Sequence, residues 1–409
     1  MEQARHAAST KRHSRHELQN RRKRKPVFLR MMGVLLVAGA ALACFGFWRF
    51  QTPGIVLGPF EDEPSTAESV PPPEPEPQPV TTTLRFSATG DNLIHAPIYK
   101  QAARRAAEGQ RYDFDYCYEH LLDFYAAQDV NWINQETLCS KELEPSTIPA
   151  FLPPVNAQRL FTGQHPGVSL SNNHTYDKGA KGIAATLRFW DEMPEDVVTT
   201  GLWYGESDYG TIPLQTVNGV TIAYLSYTDH TNGIPQSSAM TANVIYTSQR
   251  DVMEQQVRRA RELADFVVVG VHWGVEDSHK ITQTQRDLAQ QLSDWGADVI
   301  LGTHPHVVQD AEWKTSVEGR QTFVAYSLGN FLSTQSKPDQ LIGAILTLEL
   351  DKTTDPDGSV HCTVASPQLH PTVTHYDAGK SNVRTYLFQD YTSELAQAHG
   401  VRAATPVLG

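Results

Sequence analysis

The feature that most constrains the fold is a repeated pairing of a short apolar run with polar residues at its carboxyl end. Six runs of strand length each have Asp, Glu, Asn or His at or just after their carboxyl end. They are LRFSATG (84–90), VNWIN (130–134), GVSLS (167–171), DFVVVGVHWG (265–274), DVILGTHPH (298–306) and TFVAYSLGN (322–330). Runs that are apolar throughout are typical of strands buried on both faces. Amphipathic stretches at 98–108, 114–128, 179–192, 249–264 and 284–295 separate them, which predicts an α/β sandwich with buried sheets.

Two further segments belong to the predicted sheets. TVNGVTIAYLSY (216–227) is typical of a hairpin that turns at Asn218-Gly219. IGAILTLEL (342–350) is an apolar strand. The folded domain is therefore predicted to span 84–390, with 391–409 as a C-terminal tail.

The first 50 residues have the pattern of a membrane anchor with a basic flank. Residues 1–30 hold ten Lys/Arg and two acidic residues, and residues 31–48 then contain no charge. Eighteen helical residues at 1.5 Å each just span a hydrocarbon core of about 30 Å. The positive flank places the N-terminus inside the cell. We predict a basic cytoplasmic tail (1–30), a single transmembrane signal-anchor helix (31–50) in the cytoplasmic membrane, and an extracytoplasmic main domain.

Two alternatives to an uncleaved anchor exist. A cleaved signal peptide is one, although a 30-residue basic region and an 18-residue apolar core are both long for it. A lipid-modified Cys44 is the other, but the position three residues earlier is Ala41 rather than a large aliphatic residue. After the anchor, residues 51–83 contain nine prolines and predict an extended, disordered linker rich in Pro and Glu.

Charge and cysteine content limit the possible partners. Residues 1–50 carry eleven of the 34 Lys/Arg and two of the 46 Asp/Glu, so the remainder has a formal net charge of −21. Such a domain is not expected to bind nucleic acid, and an anionic ligand would need a local positive centre such as a metal. Four cysteines are too few for a disulfide framework. Cys117, Cys139 and Cys362 are best explained as single buried thiols, with a Cys117–Cys139 pair left open.

The polar clusters predict a metal site with nitrogen and oxygen ligands. The carboxyl ends of parallel strands meet at one edge of a sheet, where open α/β folds bind ligands. Asp, Glu, Asn and His suit Zn, Mn or Fe, and the absence of Cys argues against structural zinc and iron–sulfur sites. Two ions about 3.5–4 Å apart need a bridging carboxylate, for which Asp91 and Glu136 are both candidates. The candidate site residues are Asp91, His95, Asn134, Glu136, Asn173, His174, His272, Glu276, His304, His306 and Asn330.

Taken singly, most of these residues have ordinary explanations. A Gly-Asp pair is a common turn, and an Asn beside a Gly is most simply a turn residue. His304-Pro305-His306 is the sharpest signal, because two histidines across a proline after an apolar run have no obvious packing role. The remaining histidines that we considered lack such a context and are not predicted to belong to the site: His120, His230, His361, His370 and His375.

Six motifs in order, GDNLIH, NQET, SNNHTYDKGAKG, VHWGVE, GTHPHVVQD and YSLGNF, resemble the CapA family. That family is named for capsule (poly-gamma-glutamate) biosynthesis, and its domain is related to the calcineurin-like metallophosphoesterases. The resemblance covers about residues 84–335. It implies a metallophosphatase-like α/β sandwich of two facing sheets flanked by helices, here preceded by one transmembrane helix.

The resemblance also implies two metal positions that share a carboxylate. Asp91 and His306 would hold the first ion, and Glu136 would bridge the two. His174 would be the outer-sphere acid that protonates the leaving oxygen. The second ion would be held by Asn173, His272 and His304. The remaining candidates around the pair are His95, Asn134, Glu276 and Asn330.

Three expectations about neighbouring residues follow. His95 stands four residues after the Asp, where phosphoesterases place a His two residues after it, so its role stays open. Asn172 is expected to shape the turn. Asp177 is expected either to cap the helix that starts near Gly179 or to orient His174 from behind.

Two functions are compatible with these features. The first is a membrane-anchored CapA-like protein for the synthesis or export of capsule, poly-gamma-glutamate or a related cell-surface polymer, with two divalent ions (Mn, Zn or Fe) and membrane partners. The alternative is a metal-dependent hydrolase of a phosphoester or a cell-envelope polymer.

Overall fold

The computed structural model describes residues 77–146 and 165–401. The predicted cytoplasmic tail (1–30) and signal-anchor (31–50) lie outside the described residues, as does most of the predicted linker. Within the described part of the chain, no helix is both long enough and apolar enough to cross a bilayer.

The first sheet has eight strands. In spatial order they are β14 (Ser381–Leu387), β13 (Val360–Asp377), β12 (Ile342–Thr354), β1 (Val80–Asn92), β2 (Val130–Asn134), β3 (Pro166–Ser169) and β4 (Val198–Thr200), and β11 (Asn330–Leu332) pairs with the end of β1. Strands β1 to β4 run parallel to one another, so their carboxyl ends share an edge. Strand β11 joins that edge in register with Asp91 opposite Asn330.

The second sheet has six strands. In spatial order they are β5 (Leu214–Val217), β6 (Val220–Thr228), β7 (Phe266–His272), β8 (Val299–Thr303), β10 (Gln321–Ala325) and β9 (Ala311–Thr315). Strands β6, β7, β8 and β10 are parallel. The predicted hairpin is confirmed: β5 and β6 pair antiparallel and turn at Asn218 and Gly219, whose φ angles of 51° and 85° are those that a tight hairpin turn requires.

The two sheets face each other across a shared apolar core. Phe86 and Trp132 of the first sheet pack in one cluster with Tyr224 and Val268 of the second. Helices cover the two outer faces: α1 (Ala96–Arg105), α2 (Asp115–Tyr118), α3 (Leu122–Ala126) and α4 (Gly179–Asp191) in the first half, and α5 (Arg250–Leu263), α6 (Gln283–Trp295) and α7 (Ser393–Ala398) in the second. Apolar residues of α1 and α4 pack on the first sheet, and those of α5 and α6 on the second. The predicted sandwich of two facing sheets flanked by helices is confirmed.

The structured part of the chain extends beyond both ends of the predicted domain (84–390). Strand β1 begins at Val80, before Leu84, because Thr81–Thr83 pair with the far end of β12 although they are not apolar. At the other end, the predicted tail from 391 contains α7, and His399 is buried with its Nε2 3.1 Å from the carbonyl oxygen of Thr374.

Three internal expectations also need correction. The helix predicted at 114–128 is α2 and α3 with a short 3-10 turn between them. The run predicted as one strand at 322–330 divides into β10 and β11, which belong to different sheets. Cys362, expected to be buried, is exposed, whereas Cys117 and Cys139 are free, buried thiols, as expected.

The crossing from β10 to β11 shapes the edge where the polar residues meet. It brings the backbone of Gly329 against Gly90, so close that a Cβ at position 90 would lie 1.9 Å from the Gly329 carbonyl oxygen. The Asp91 backbone N–H donates to that same oxygen at 2.9 Å. Gly90 is therefore required for the close approach that places Asp91 beside Asn330.

Candidate metal centre

Glu136 lies at the middle of the polar cluster, two residues beyond β2. Its side chain is fully buried, and neither carboxylate oxygen has a hydrogen-bond partner among the described residues. Three imidazole Nε2 atoms surround its Oε1, at 3.7 Å from His272 and 3.9 Å from both His174 and His306. These distances are too long for hydrogen bonds. For His272 and His306 they fit ligands that each share an ion with Glu136, since two atoms each 2.0–2.2 Å from a metal are roughly 3–4 Å apart.

Asp91, at the end of β1, is fixed from several directions. Its Oδ1 accepts from Asn134 Nδ2 at 2.8 Å, and its Oδ2 accepts from the His304 backbone N–H at 3.2 Å. Ligand atoms of Asp91, Glu136 and His272 lie within 4.8 Å of one another. The two sheets thus contribute to one cluster. Asp91 and Glu136 lie at the carboxyl ends of strands of the first sheet, and His272 lies at the carboxyl end of a strand of the second sheet.

The hydrogen bonds of His306 and His174 determine which ring nitrogen faces the cluster. His306 Nδ1 lies 3.1 Å from both Asp91 Oδ2 and Asn330 Oδ1, and both of these atoms are acceptors. His174 Nδ1 lies 2.9 Å from Asp177 Oδ2, also an acceptor. The proton of each neutral ring is therefore on Nδ1, and the Nε2 lone pair is directed to Glu136.

His272 contacts polar groups through both ring nitrogens. Its Nδ1 is 2.9 Å from the hydroxyl of Thr303 and 3.4 Å from Asn134 Nδ2. Its Nε2 is 3.1 Å from Asn173 Oδ1. An imidazole nitrogen and an amide oxygen next to a buried carboxylate are all groups that can ligate a divalent cation.

The loop after β8 holds His304 and His306 in an uncommon backbone conformation. Their φ angles are 97° and 59°, a region that non-glycine residues rarely adopt. His304 Nδ1 is buried and has no hydrogen-bond partner among the described residues. The His304 ring stands 4.7 Å from that of His272, which places this free nitrogen in the same cluster.

Burial and crowding shift the pKa values of the cluster. Burial, followed by the charge of Asp91, raises the pKa of Glu136 well above its ordinary value. Burial and the neighbouring imidazoles lower the pKa of His272 well below 6.5 and that of His304 to about 4. For His306, burial acts in the lowering direction, but the hydrogen bond and charge of Asp91 outweigh it and raise the pKa.

The donor set as a whole fits divalent cations. Glu136 Oε1 and Oε2, Asn134 Oδ1 and His304 Nδ1 are buried polar atoms without partners among the residues described. Leaving such atoms unsatisfied is unfavourable by about 1–3 kcal/mol each. A carboxylate-rich cluster with neutral imidazoles is the ligand chemistry of Zn, Mn or Fe.

The structure brings most of the predicted site residues together. Those that meet around Glu136 are Asp91, Asn134, Asn173, His174, His272, His304 and His306. Asn330 supports His306 from behind and is itself held by the Gln340 carbonyl oxygen. Glu276 is exposed and is not among them. His95 is nearby, but its Nδ1 accepts from the Thr334 backbone N–H at 3.1 Å.

The two neighbouring residues of the Asn172–Asp177 turn take supporting positions. Asn172 Oδ1 accepts from the His174 backbone N–H at 3.1 Å, which shapes the turn as expected. Asp177 orients His174, and the residue that precedes α4 is Lys178, so the orienting alternative is the one observed.

Sequence reasoning missed His230 and Asn232, which follow β6. The His230 ring stands 5.0 Å from the His304 ring, nearly perpendicular to it. Asn232 Oδ1 accepts from Asn173 Nδ2 at 3.4 Å, and its own Nδ2 is 3.3 Å from His174 Nδ1. The signal was available, because DHTNG follows an apolar strand like the six clusters that were recognised.

Comparison with known proteins identifies the family of this chain. The profile of the family described as "Bacterial capsule synthesis protein PGA_cap" matches residues 85–335, more than half of the chain. The chain belongs to this family. Every candidate ligand from Asp91 to Asn330 lies inside the matched range. The predicted resemblance to CapA proteins is therefore confirmed.

Two curated relatives agree with the family. The capsule biosynthesis protein CapA of Bacillus anthracis is 36% identical over 180 residues, which cover 41% of this chain and 40% of that protein. The PGA biosynthesis protein CapA of Bacillus subtilis is 35% identical over 183 residues, which cover 44% and 46%. Each match spans less than half of the relative's length.

Similar solved structures are more distant. One is a hypothetical protein from Thermus thermophilus, at 17% identity and a TM-score of 0.40, covering 70% of this chain and 99% of that one. Another is the NAD nucleotidase NadN of Haemophilus influenzae, at 13% identity and a TM-score of 0.38, covering 80% and 63%. At these TM-scores the likenesses carry no functional inference.

Proposed function

We propose that this member of the capsule synthesis family is anchored in the cytoplasmic membrane by residues 31–50, with its folded domain outside the cell. There it takes part in the synthesis or export of an anionic polymer of the capsule or poly-gamma-glutamate type, together with membrane partners. A metallophosphatase-type centre with two divalent ions gives the acidic domain its local positive charge. Family membership supports the polymer, and the charge-free segment after a basic flank supports the anchor.

The observation that carries the metal proposal is the Glu136 carboxylate, which is buried, without hydrogen bonds among the described residues, and surrounded by three imidazole nitrogens. Asp91 and His306 would hold one ion, and Glu136 would bridge to the other. The second ion would be held by Asn173, His272 and His304. Bound Zn, Mn or Fe ions lower the pKa of water toward 7 and neutralise anionic groups.

The side chains around the centre have their own tasks. Residues 51–409 carry a formal charge of −21, which repels an anionic chain, so the polymer must be held where this charge is locally offset. His174 remains partly exposed, at 18% of its side chain, so it can meet a substrate at the mouth of the cluster. Asp177 Oδ2, 2.9 Å from its Nδ1, fixes the orientation of the ring. This pair is suited to donate a proton to a leaving oxygen, an effect of about 10²–10⁴-fold in rate.

The His174–Asp177 pair also favours a second candidate function. A centre that only holds a polymer has no need for an oriented proton donor, whereas a hydrolase of a phosphoester or a cell-envelope polymer does. We propose this activity as the alternative, with the same centre and the same residues.

Metal analysis and turnover assays on the purified full-length chain test both functions. We expect bound divalent metal in the wild-type protein and its loss in His304→Ala, with His361→Ala, an exposed histidine on β13, as the matched control. Cleavage of poly-gamma-glutamate or of a phosphodiester that disappears in His304→Ala supports the hydrolase. Metal-dependent binding of the polymer without cleavage supports the assembly role. A chain that takes up no metal, and in which His304→Ala changes nothing, contradicts the proposal.

A further inference from the structure

Two histidines at the rim of the centre differ from the others in the direction of their hydrogen bonds. In His174 and His306, Nδ1 faces a carboxylate and therefore carries the proton. In His95 and His230, Nδ1 instead accepts a hydrogen bond from a backbone N–H. A neutral imidazole that accepts at Nδ1 must carry its proton on Nε2. These two rings therefore present an N–H rather than a lone pair.

His95 lies close enough to His306 and His174 for their charges to act on it. Its Nδ1 accepts from the Thr334 backbone N–H at 3.1 Å, and the Thr334 carbonyl oxygen in turn accepts from Lys380 Nζ. Burial is the main reason why the pKa of His95 is lowered to about 4, with the charges of His306, Lys380 and His174 adding to it. The ring is therefore neutral at pH 7. If Nε2 bound a metal, the proton of the ring would lie on Nδ1, and this N–H would face the backbone N–H of Thr334.

His230 lies against His304, with the two ring centroids 5.0 Å apart. It is exposed, and its Nδ1 accepts from the Asn232 backbone N–H at 3.3 Å. The loop that carries it is fixed: Thr228 Oγ1 donates to the His230 carbonyl oxygen at 3.0 Å, and Asp229 Oδ2 accepts from the Gly274 backbone N–H at 3.1 Å. Within residues 77–146 and 165–401, no group accepts from Nε2 of His95 or His230.

We propose that His95 and His230 form an oxyanion-binding pair, which donates from two Nε2–H groups to a phosphate or carboxylate oxygen of the substrate held at the metal centre. This inference rests on the proposed metal-dependent function and names the class of group that the centre receives. It replaces the role of metal ligand considered for His95 with that of a substrate-contacting donor. Fixed donors lose little freedom when they bind, so each can contribute appreciably to affinity.

The test uses the full-length chain loaded with Mn²⁺, and measures metal content and the affinity for inorganic phosphate by calorimetry. We expect His95→Ala and His230→Ala to keep the wild-type metal content and to weaken phosphate binding about tenfold or more each, as for hydrogen bonds to charged groups. Gln can accept from the backbone with its Oε1 and donate with its Nε2. His95→Gln and His230→Gln should therefore restore most of the affinity, and His361→Ala should change nothing.

Each other outcome has a definite meaning. If His95→Ala lowers the metal content, His95 is a ligand and the pair is overturned. If both Ala variants bind phosphate like the wild type while the metal stays bound, the pair is overturned and the metal centre stands. If the wild-type chain takes up no metal, the proposed function fails. The phosphate affinities of the metal-free proteins still test the oxyanion-binding pair, because the pair requires that each Ala substitution weakens phosphate binding. A parallel titration with short poly-gamma-glutamate shows whether a carboxylate or a phosphate is the preferred oxyanion.

Discussion

Replacing Glu136 by Gln probes the central carboxylate with almost no change in shape. In the metal-free protein, Glu136 and Asp91 are buried carboxyl groups that both lie close to the His306 imidazole, and burial and the charge of Asp91 raise the pKa of Glu136. The Gln side chain cannot ionise, so the variant removes the unfavourable charge. With metal bound, the same substitution removes the ligand that joins both ion positions. We therefore expect opposite effects on the metal-free and metal-loaded proteins.

The magnitude follows from the two oxygens of Glu136, which are buried without partners among the described residues. Relieving an unsatisfied buried group is worth about 1–3 kcal/mol, so metal-free Glu136→Gln should be more stable than the wild type by roughly this amount at pH 8. Mn²⁺ at about 100 times its dissociation constant should stabilise the wild type by about 2.7 kcal/mol. For a folded part of roughly 300 residues, this corresponds to a rise in melting temperature of about 4 °C.

Thermal unfolding of both proteins, with Mn²⁺ and with a chelator, measures these effects. Because the folded-state pKa of Glu136 is raised above 4.5, the metal-free wild type loses stability relative to Glu136→Gln as the pH rises from about 4.5 through the folded-state pKa. Metal binding displaces the same proton, so affinity for Mn²⁺ should increase with pH. Glu276→Gln, at an exposed position near the site, changes the net charge equally and serves as the control. An equal Mn²⁺ response in wild type and Glu136→Gln would refute the reasoning.

Three further predictions concern the surrounding residues. His304→Ala should weaken the binding of at least one ion, which metal analysis after dialysis would detect, and full retention of metal would argue against ligation. Asp177→Asn should leave the metal content unchanged but lower any phosphodiesterase activity about 10–100-fold, because His174 loses its orientation; unchanged activity would assign Asp177 a structural role only. Gly90→Ala should lower the free energy of unfolding by about 2–3 kcal/mol, because the new Cβ overlaps the Gly329 carbonyl oxygen, and an unchanged urea midpoint would contradict the close contact.

The strands that could be predicted are those buried on both faces. Phe266–His272 and Val299–Thr303 are apolar up to their last residue, and every residue in them is buried. Strand β13 was missed because its first half is largely exposed, alternates little and contains Pro367. The split of 322–330 could not be foreseen, since the change of sheet at Gly329 depends on a tertiary contact with β1.

The site was predictable to the extent that position after a strand defines it. Parallel strands bring their carboxyl ends together, so residues as distant in sequence as Asp91 and His306 could be assigned to one site from the sequence alone. Which nitrogen of each ring faces inward could not be predicted, because it depends on partners such as Asp177 and Thr334 that only the fold supplies. His230 was missed for a simpler reason: β6 was considered only as part of a hairpin.

Anomalous diffraction from crystals of the protein grown with Mn²⁺ tests the central claim most directly. We predict two peaks about 3.5–4 Å apart on either side of the Glu136 carboxylate. One should lie beside Asp91 and His306, and the other beside His272 and His304. Crystals that show no peak within bonding distance of Glu136, at Mn²⁺ concentrations that saturate any binding seen in solution, would contradict the metal centre.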